Sequence, residues 1–273
     1  MTGQESGIAG LPMYDPPQLF AVVDAWWTGI ARWFRQEGID DAPAGLSRGF
    51  SHHELWSHPA LVLAQTCGYP LMTQFRDRLA YIATPSYAAP GCGGALYRSL
   101  IVVSAKSPLA RLDELRGRRA VINNRDSHSG MNALRATVAP LARAGRFFGE
   151  VVESGSHAAS LEWVGDGRAD VASIDCITFA LLGDVRPEAT ARVRVIAESA
   201  SAPGLPYVTA AAAGPERVAR MRRALQQAVT DPELAPIRAR LRLTGFEVLD
   251  LDTYAPMAAS ERRAAELGYP ALA

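Results

Sequence analysis

The sequence predicts an α/β protein of two lobes, and three observations carry that prediction. Its 273 residues are more than one small module needs at roughly 100 to 200 residues per domain. Apolar residues make up 48% and charged residues 21%, the balance of a chain that buries a core, not that of a disordered or fibrous one. From residue 107 onward short β-rich runs alternate with helical patterns, as strands and crossover helices do around a mostly parallel sheet.

The first apolar run, 8–13, stops at Tyr14-Asp15-Pro16-Pro17. Leu19, Val22, Val23, Trp26, Trp27, Ile30 and Phe34 then recur at spacings of three and four, so a strand, a turn and a helix are expected. Residues 38–58 read as irregular. A buried strand is expected at 60–65, stopped by Thr66-Cys67-Gly68-Tyr69-Pro70, another at 78–83, a Gly/Pro-rich loop at 85–94 and a β-rich run at 95–104. The alternating block then gives helices at 108–115, 130–144, 158–166 and 176–182, with strands at 119–123, 151–154, 169–174 and 193–198. A strand at 207–213, helices near 215–229 and 232–243 and a last strand at 246–251 close the chain. The irregular stretches near 104–108 and 199–206 read as two hinge crossings. Lobe one is then discontinuous, 1–104 and 202–273, with lobe two at 105–201, and a cleft between them is where a small ligand would be held.

Composition narrows the partners. Lys plus Arg and Asp plus Glu both number 28, so the basic surplus of a nucleic-acid binder is missing; Lys106 is the single lysine. No run approaches the roughly 18 apolar residues of a membrane span, and the chain is not expected to cross a bilayer. Cys67, Cys92 and Cys176 form no CxxC pair, which favours free thiols over a disulfide framework or zinc site. The opening MTGQESGIAGLPMYD has neither the positive nor the apolar region of a secretory leader, which predicts a cytoplasmic chain or one whose leader has been removed.

The most informative segment runs from Val121 to Leu134 through Asn123-Asn124-Arg125-Asp126-Ser127-His128-Ser129-Gly130. A buried strand enters a Ser/Gly loop that opens a helix. Free N–H groups, the positive end of the helix dipole and hydroxyl donors would converge there on one oxyanion. Neither a Walker loop nor a dinucleotide fingerprint is present, and the plainer alternative is that Ser127 or Ser129 only caps the helix. A second segment places His157 at the start of a helix and Asp175 at the carboxyl end of the strand that follows it, both facing the crevice of an open α/β sheet; Asp175 could equally cap the helix after it.

The helix, Gly turn and Ala169-Asp170-Val171-Ala172-Ser173-Ile174-Asp175 strand together resemble the phosphate, phosphite and phosphonate substrate-binding proteins of ABC transporters, the PhnD-like family. Asn123, Asp126, Ser127, Ser129 and Gly130 match that family's phosphonate loop. The resemblance is strong over 119–182 and looser over 8–70. It implies a type II periplasmic-binding-protein fold, two α/β lobes with a ligand cleft and two hinge crossings, that captures a small tetrahedral oxyanion by closure, without catalysis, for an ABC permease in the periplasm. Ser127, His128, Ser129 and the N–H groups around Gly130 would grip the anion, and His157 would donate or, if protonated, pair with it. Asp175 would accept from a protonated ligand oxygen or an ammonium group. Tyr14, Thr66 and Tyr69 would be the lobe-one contacts, since Cys67, which occupies part of the turn, is a poor donor to an oxyanion. No cofactor or metal is implied, and a monomer is expected.

Two alternatives come from other classes. One is a ligand sensor or adaptor of the same fold; the other is a hydrolase using Ser127, His157 and Asp175, although Gly-x-Ser-x-Gly is absent. His52, His53, Glu54 and His58 suggest a metal only weakly, because they do not form HExxH, and a solvated loop explains them. At least two of Trp26, Trp27 and Trp33 are expected in the core.

Overall fold

The computed structural model describes residues 7–273; the first six residues of the opening segment lie outside the described residues. The described residues divide into two compact units, one comprising those up to Ala88 with Gly93–Ala95 and Pro203–Asp252, the other Ala89–Cys92, Leu96–Ala202 and Thr253–Ala273.

The first unit is built on a five-stranded sheet in the order Ile8–Gly10, Leu61–Gln65, Tyr207–Ala210, Leu79–Tyr87, Leu243–Glu247. Only the first pair is parallel. Leu61–Gln65 is buried at every position, as its continuous apolar run requires. The helix Phe20–Gln36 turns Val23, Trp26, Trp27, Ile30 and Phe34 inward, the face that the three-and-four spacing marks. It stops at Gly38, whose φ of +74° suits glycine. There the Ile39 N–H bonds to the Phe34 carbonyl at 2.9 Å and the Gly38 N–H to the Arg35 carbonyl at 3.0 Å, capping the last orphan carbonyls. Trp26 and Trp27 are core, while Trp33 donates to Asp231 at 2.9 Å.

The second unit has a five-stranded sheet in the order Glu150–Glu153, Arg119–Ile122, Val171–Asp175, Ser99–Ser104, Val193–Glu198. The first three strands are parallel and Ser99–Ser104 runs antiparallel to both its neighbours. The sheet is therefore mixed, two parallel and two antiparallel pairings, where the strand and helix alternation predicts a mostly parallel layer. The parallel pairs carry the crossover helix His157–Gly165.

Several elements differ from the sequence reading. Ser99–Ser104 was expected in lobe one, but its hydrogen bonds go to Val171–Asp175 and Val193–Glu198, and this pairing puts it in the second unit. The tail after 252 was also expected in lobe one; instead a helix at Ala255–Glu266, which sequence reasoning missed, belongs to the second unit. The 38–58 stretch contains a short helix, His52–Trp56, held by a capping box between Ser51 and Glu54. The strand Leu79–Tyr87 runs through Pro85, opposite Phe246. The helix expected at 130–144 is broken into a wide π turn, His128–Asn132, a helix Ala133–Val138 and a 3-10 turn around Pro140, because proline cannot supply the next helical N–H. No described helix is long and apolar enough to cross a membrane.

Candidate functional site

In the second unit the strand Arg119–Ile122 delivers the chain to Asn123, and the loop ends at Ser127, the N-cap of the π turn. Ser127 Oγ accepts the Gly130 N–H at 3.1 Å and its carbonyl accepts the Asn132 N–H at 3.0 Å. Capping is thus one thing Ser127 does. The next turn of chain meets the start of His157–Gly165, where Ser129 Oγ and His157 Nε2 lie 2.7 Å apart. Behind them the Ser173 hydroxyl donates to the Ser129 carbonyl at 2.6 Å, tying the loop to the central strand.

Gly130 is what allows this approach. A Cβ at that position would lie 1.8 Å from Asn123 Oδ1 and 3.2 Å from His157 Cε1, so any side chain would push the loop off its neighbours. Two buried polar atoms beside it, Asn123 Oδ1 and His157 Nδ1, have no hydrogen-bond partner, although nearly all buried polar atoms in proteins do. The His157 residue keeps part of its surface open, but its Nδ1 is enclosed. Burial drops the ring's pKa to about 4, since desolvation disfavours the charged form. His157 is neutral at pH 7, so a protonated ring paired with an anion is not what this site offers.

His128 points elsewhere. Its ring is buried against Tyr97, with Nδ1 facing the Asn132 amide nitrogen at 3.1 Å, and burial lowers its pKa to about 4 as well. Asn132 also donates to the Met257 carbonyl and lies 3.0 Å from the Ser260 hydroxyl, so this side of the turn serves packing of the terminal helix. Asp175 ends the strand Val171–Asp175 and accepts the N–H groups of Ile177 and Thr178 at 2.8 and 2.9 Å, which caps the helix Cys176–Val185.

The structure thus brings Ser127, Ser129, Gly130 and His157 together and turns the His128 side chain away. It assembles no Ser127–His157–Asp175 relay: His157 meets Ser129 instead of Ser127, its Nδ1 has no carboxylate partner, and Asp175 bonds to the next helix. In the first unit Tyr14 packs edge-on against Tyr87 and borders a cavity of about 20 Å³ with Trp26, Gln65 and Tyr207, room for about one water. Thr66 and Tyr69 do not border that cavity; the Thr66 hydroxyl donates to the Cys67 carbonyl at 3.3 Å, and Tyr69 is buried in the helix Gly68–Thr73. Ser173 and Asn132 were missed, and Asn123, though matched to the family's phosphonate loop, was given no ligand contact. Of the three only Asn123 had a signal, its match to that loop at the end of a buried strand. Among the described residues no group of His, Cys, Asp and Glu could hold a metal.

This arrangement, two α/β units with a Ser/Gly turn against a histidine, is that of a type II periplasmic binding protein. The sequence agrees: over residues 61–254 it matches the family model of the phosphonate ABC transporter periplasmic substrate-binding protein, and the chain belongs to that family. No curated protein sequence matches it. Among solved structures it is similar to a binding-protein component of an ABC phosphonate transporter from Pseudomonas aeruginosa, with a TM-score of 0.75 and 16% identity over 97% of this chain and 88% of that one. It is also similar to PhnD1 from Prochlorococcus marinus in complex with methylphosphonate, with a TM-score of 0.70 and 12% identity over 96% and 100% of the two chains. A third similar structure is XAC2383 from Xanthomonas citri bound to ATP, with a TM-score of 0.67 and 17% identity over 96% and 99%. At these identities the likeness concerns the fold. The family is one of substrate-binding transport proteins, not of enzymes.

Proposed function

We propose that this protein captures a small oxyanion of the phosphonate, phosphate or phosphite type through the Ser127–Gly130 turn and His157, and hands it on to an ABC permease without chemical change. The observation that carries the reading is the pair of unpartnered buried atoms, Asn123 Oδ1 and His157 Nδ1, on either side of Gly130. With Nδ1 protonated, Ser129 donates to Nε2 and the Nδ1–H is left for an anionic oxygen. The Asn123 amide offers its oxygen to a protonated ligand oxygen or, turned over, its NH₂ to an ionised one. Ser127 adds a hydroxyl donor, Ser129 holds the His157 ring in that tautomer, and the His128 contribution comes from its backbone. All these donors are neutral, which suits a ligand recognised by direction of hydrogen bonding. Asp175 favours ligands that still carry a proton or an ammonium group. The methylphosphonate bound by the similar PhnD1 supports the same chemical class.

A thermal-shift screen of methylphosphonate, aminoethylphosphonate, phosphite, phosphate, sulfate and ATP tests the proposal. A true ligand at 100 times its dissociation constant stabilises by about 2.7 kcal/mol. We expect shifts with phosphonates and none with sulfate, which carries no proton at neutral pH; a screen in which no oxyanion shifts the midpoint would overturn the reading.

A further inference from the structure

The two cysteines of the second unit meet although they are 84 positions apart, with Cys92 Sγ and Cys176 Sγ separated by 3.6 Å. A disulfide needs about 2 Å between sulfurs, so the pair lacks a bond by roughly 1.5 Å of closure. The two partners differ in freedom. Cys176 is the first residue of the helix Cys176–Val185, is 1% exposed, and has its N–H bonded to the Arg98 carbonyl at 3.1 Å. Cys92 is partly exposed in a turn where its N–H bonds to the Ala89 carbonyl at 3.0 Å, between Gly91 at φ +94° and Gly93, beside which a Cβ would meet nothing within 4 Å. The loop side can move while the helix side stays.

We propose that Cys92 and Cys176 are a dithiol site that closes to a disulfide on meeting an external disulfide, fastening the excursion Ala89–Cys92 to the start of the helix that follows Asp175. The hydrogen bond between the two thiols holds Cys92 below the ordinary thiol value. The same hydrogen bond, with burial and the nearby Asp175 charge, pushes Cys176 up. Cys92 is therefore the attacking thiolate. It attacks one sulfur of the external disulfide, forms a mixed disulfide and expels one thiolate. Cys176 then gives up its proton, attacks the Cys92 sulfur and expels the second thiolate. Two protein thiols are oxidised, one disulfide is reduced to two thiols, and the protons travel to the departing groups. Cys67 lies in the other unit and takes no part.

The test uses the full chain, fully reduced, freed of reductant and incubated with oxidised glutathione, then unfolded, alkylated and mapped by mass spectrometry. We expect the intact chain to lose two hydrogen atoms, a linked peptide pair joining Cys92 to Cys176, and alkylation at Cys67. Closing a loop of this length should raise the unfolding midpoint by roughly 10 °C over the reduced form, and Cys92→Ser should abolish that rise. Alkylation of both Cys92 and Cys176 after oxidation, glutathione left on Cys92, a link that involves Cys67, or the same rise in Cys92→Ser would each overturn the proposal. The peptide map of the unmodified sequence decides the matter even if a variant fails to fold.

Discussion

Gly130 shows how much one missing atom can matter. Its Cα lies where the Asn123 amide and the His157 ring converge, and Gly130→Ala would drive a methyl into Asn123 Oδ1. We expect a loss of about 1 to 3 kcal/mol, the usual cost of overpacking, read as a lower urea midpoint, together with loss of any ligand-induced shift. His128 and His157, whose rings are held neutral by burial, give a pH signature. Their folded pKa of about 4 lies below the ordinary histidine value of about 6.5, so between those values the unfolded chain binds more protons. Stability must then fall as pH drops from 6.5 towards 4 and level off below, by up to about 3 kcal/mol per histidine. His157→Gln should remove about half of that slope in urea titrations run across pH 4 to 7. A variant with an unchanged slope would show that the ring is not buried neutral. Asp175 caps a helix and is proposed to accept from the ligand, two roles that substitution can separate. Asp175→Asn keeps an oxygen for the Ile177 and Thr178 N–H groups but removes the charge. It should weaken ligands bearing an ammonium or a proton more than fully ionised ones in calorimetry, whereas a purely structural cap would give equal losses.

Among the elements, the π turn His128–Asn132 and the helix Ala255–Glu266 depend on each other through Asn132. That side chain donates to the Met257 carbonyl and accepts from the buried Arg135 at 2.7 Å. Asn132→Ala strips partners from groups that have no water to turn to, at about 1 to 3 kcal/mol. Hydrogen exchange should then accelerate over 255–266 before it does over the sheet; uniform acceleration would mean the helix is held by other contacts. The elements also show what could be read in advance. The helix Phe20–Gln36 and the buried strand Leu61–Gln65 were legible because an amphipathic stripe and an unbroken apolar run are local signals. The helix Ala255–Glu266 was not, since its apolar residues are mostly alanine and its stripe is weak. It is defined by what it packs against, with Met257, Ser260 and Ala264 turned inward.

For the whole molecule the same distinction holds between chain and fold. The C-terminal residues anchor the second unit: the Ala273 carbonyl accepts the N–H groups of Phe147 and Phe148 at 2.7 and 2.9 Å, and Tyr269 and Leu272 are buried. A chain ending at Tyr254 should therefore lose cooperative unfolding of the second unit while the first, complete by residue 252, keeps its own. A single unchanged transition in differential scanning calorimetry would contradict that assignment.

The sequence by itself determined the α/β class, the family and the segment 123–130 on which the proposed site is built, because hydrophobic period, turn residues and a short motif are written in neighbouring positions. Only the tertiary structure decided which strands share a sheet, where the chain passes between units, that His157 pairs with Ser129, and that Cys92 meets Cys176. Those outcomes depend on residues far apart in sequence. No local pattern records which of several buried, hydrogen-bond-satisfying pairings brings such distant groups together.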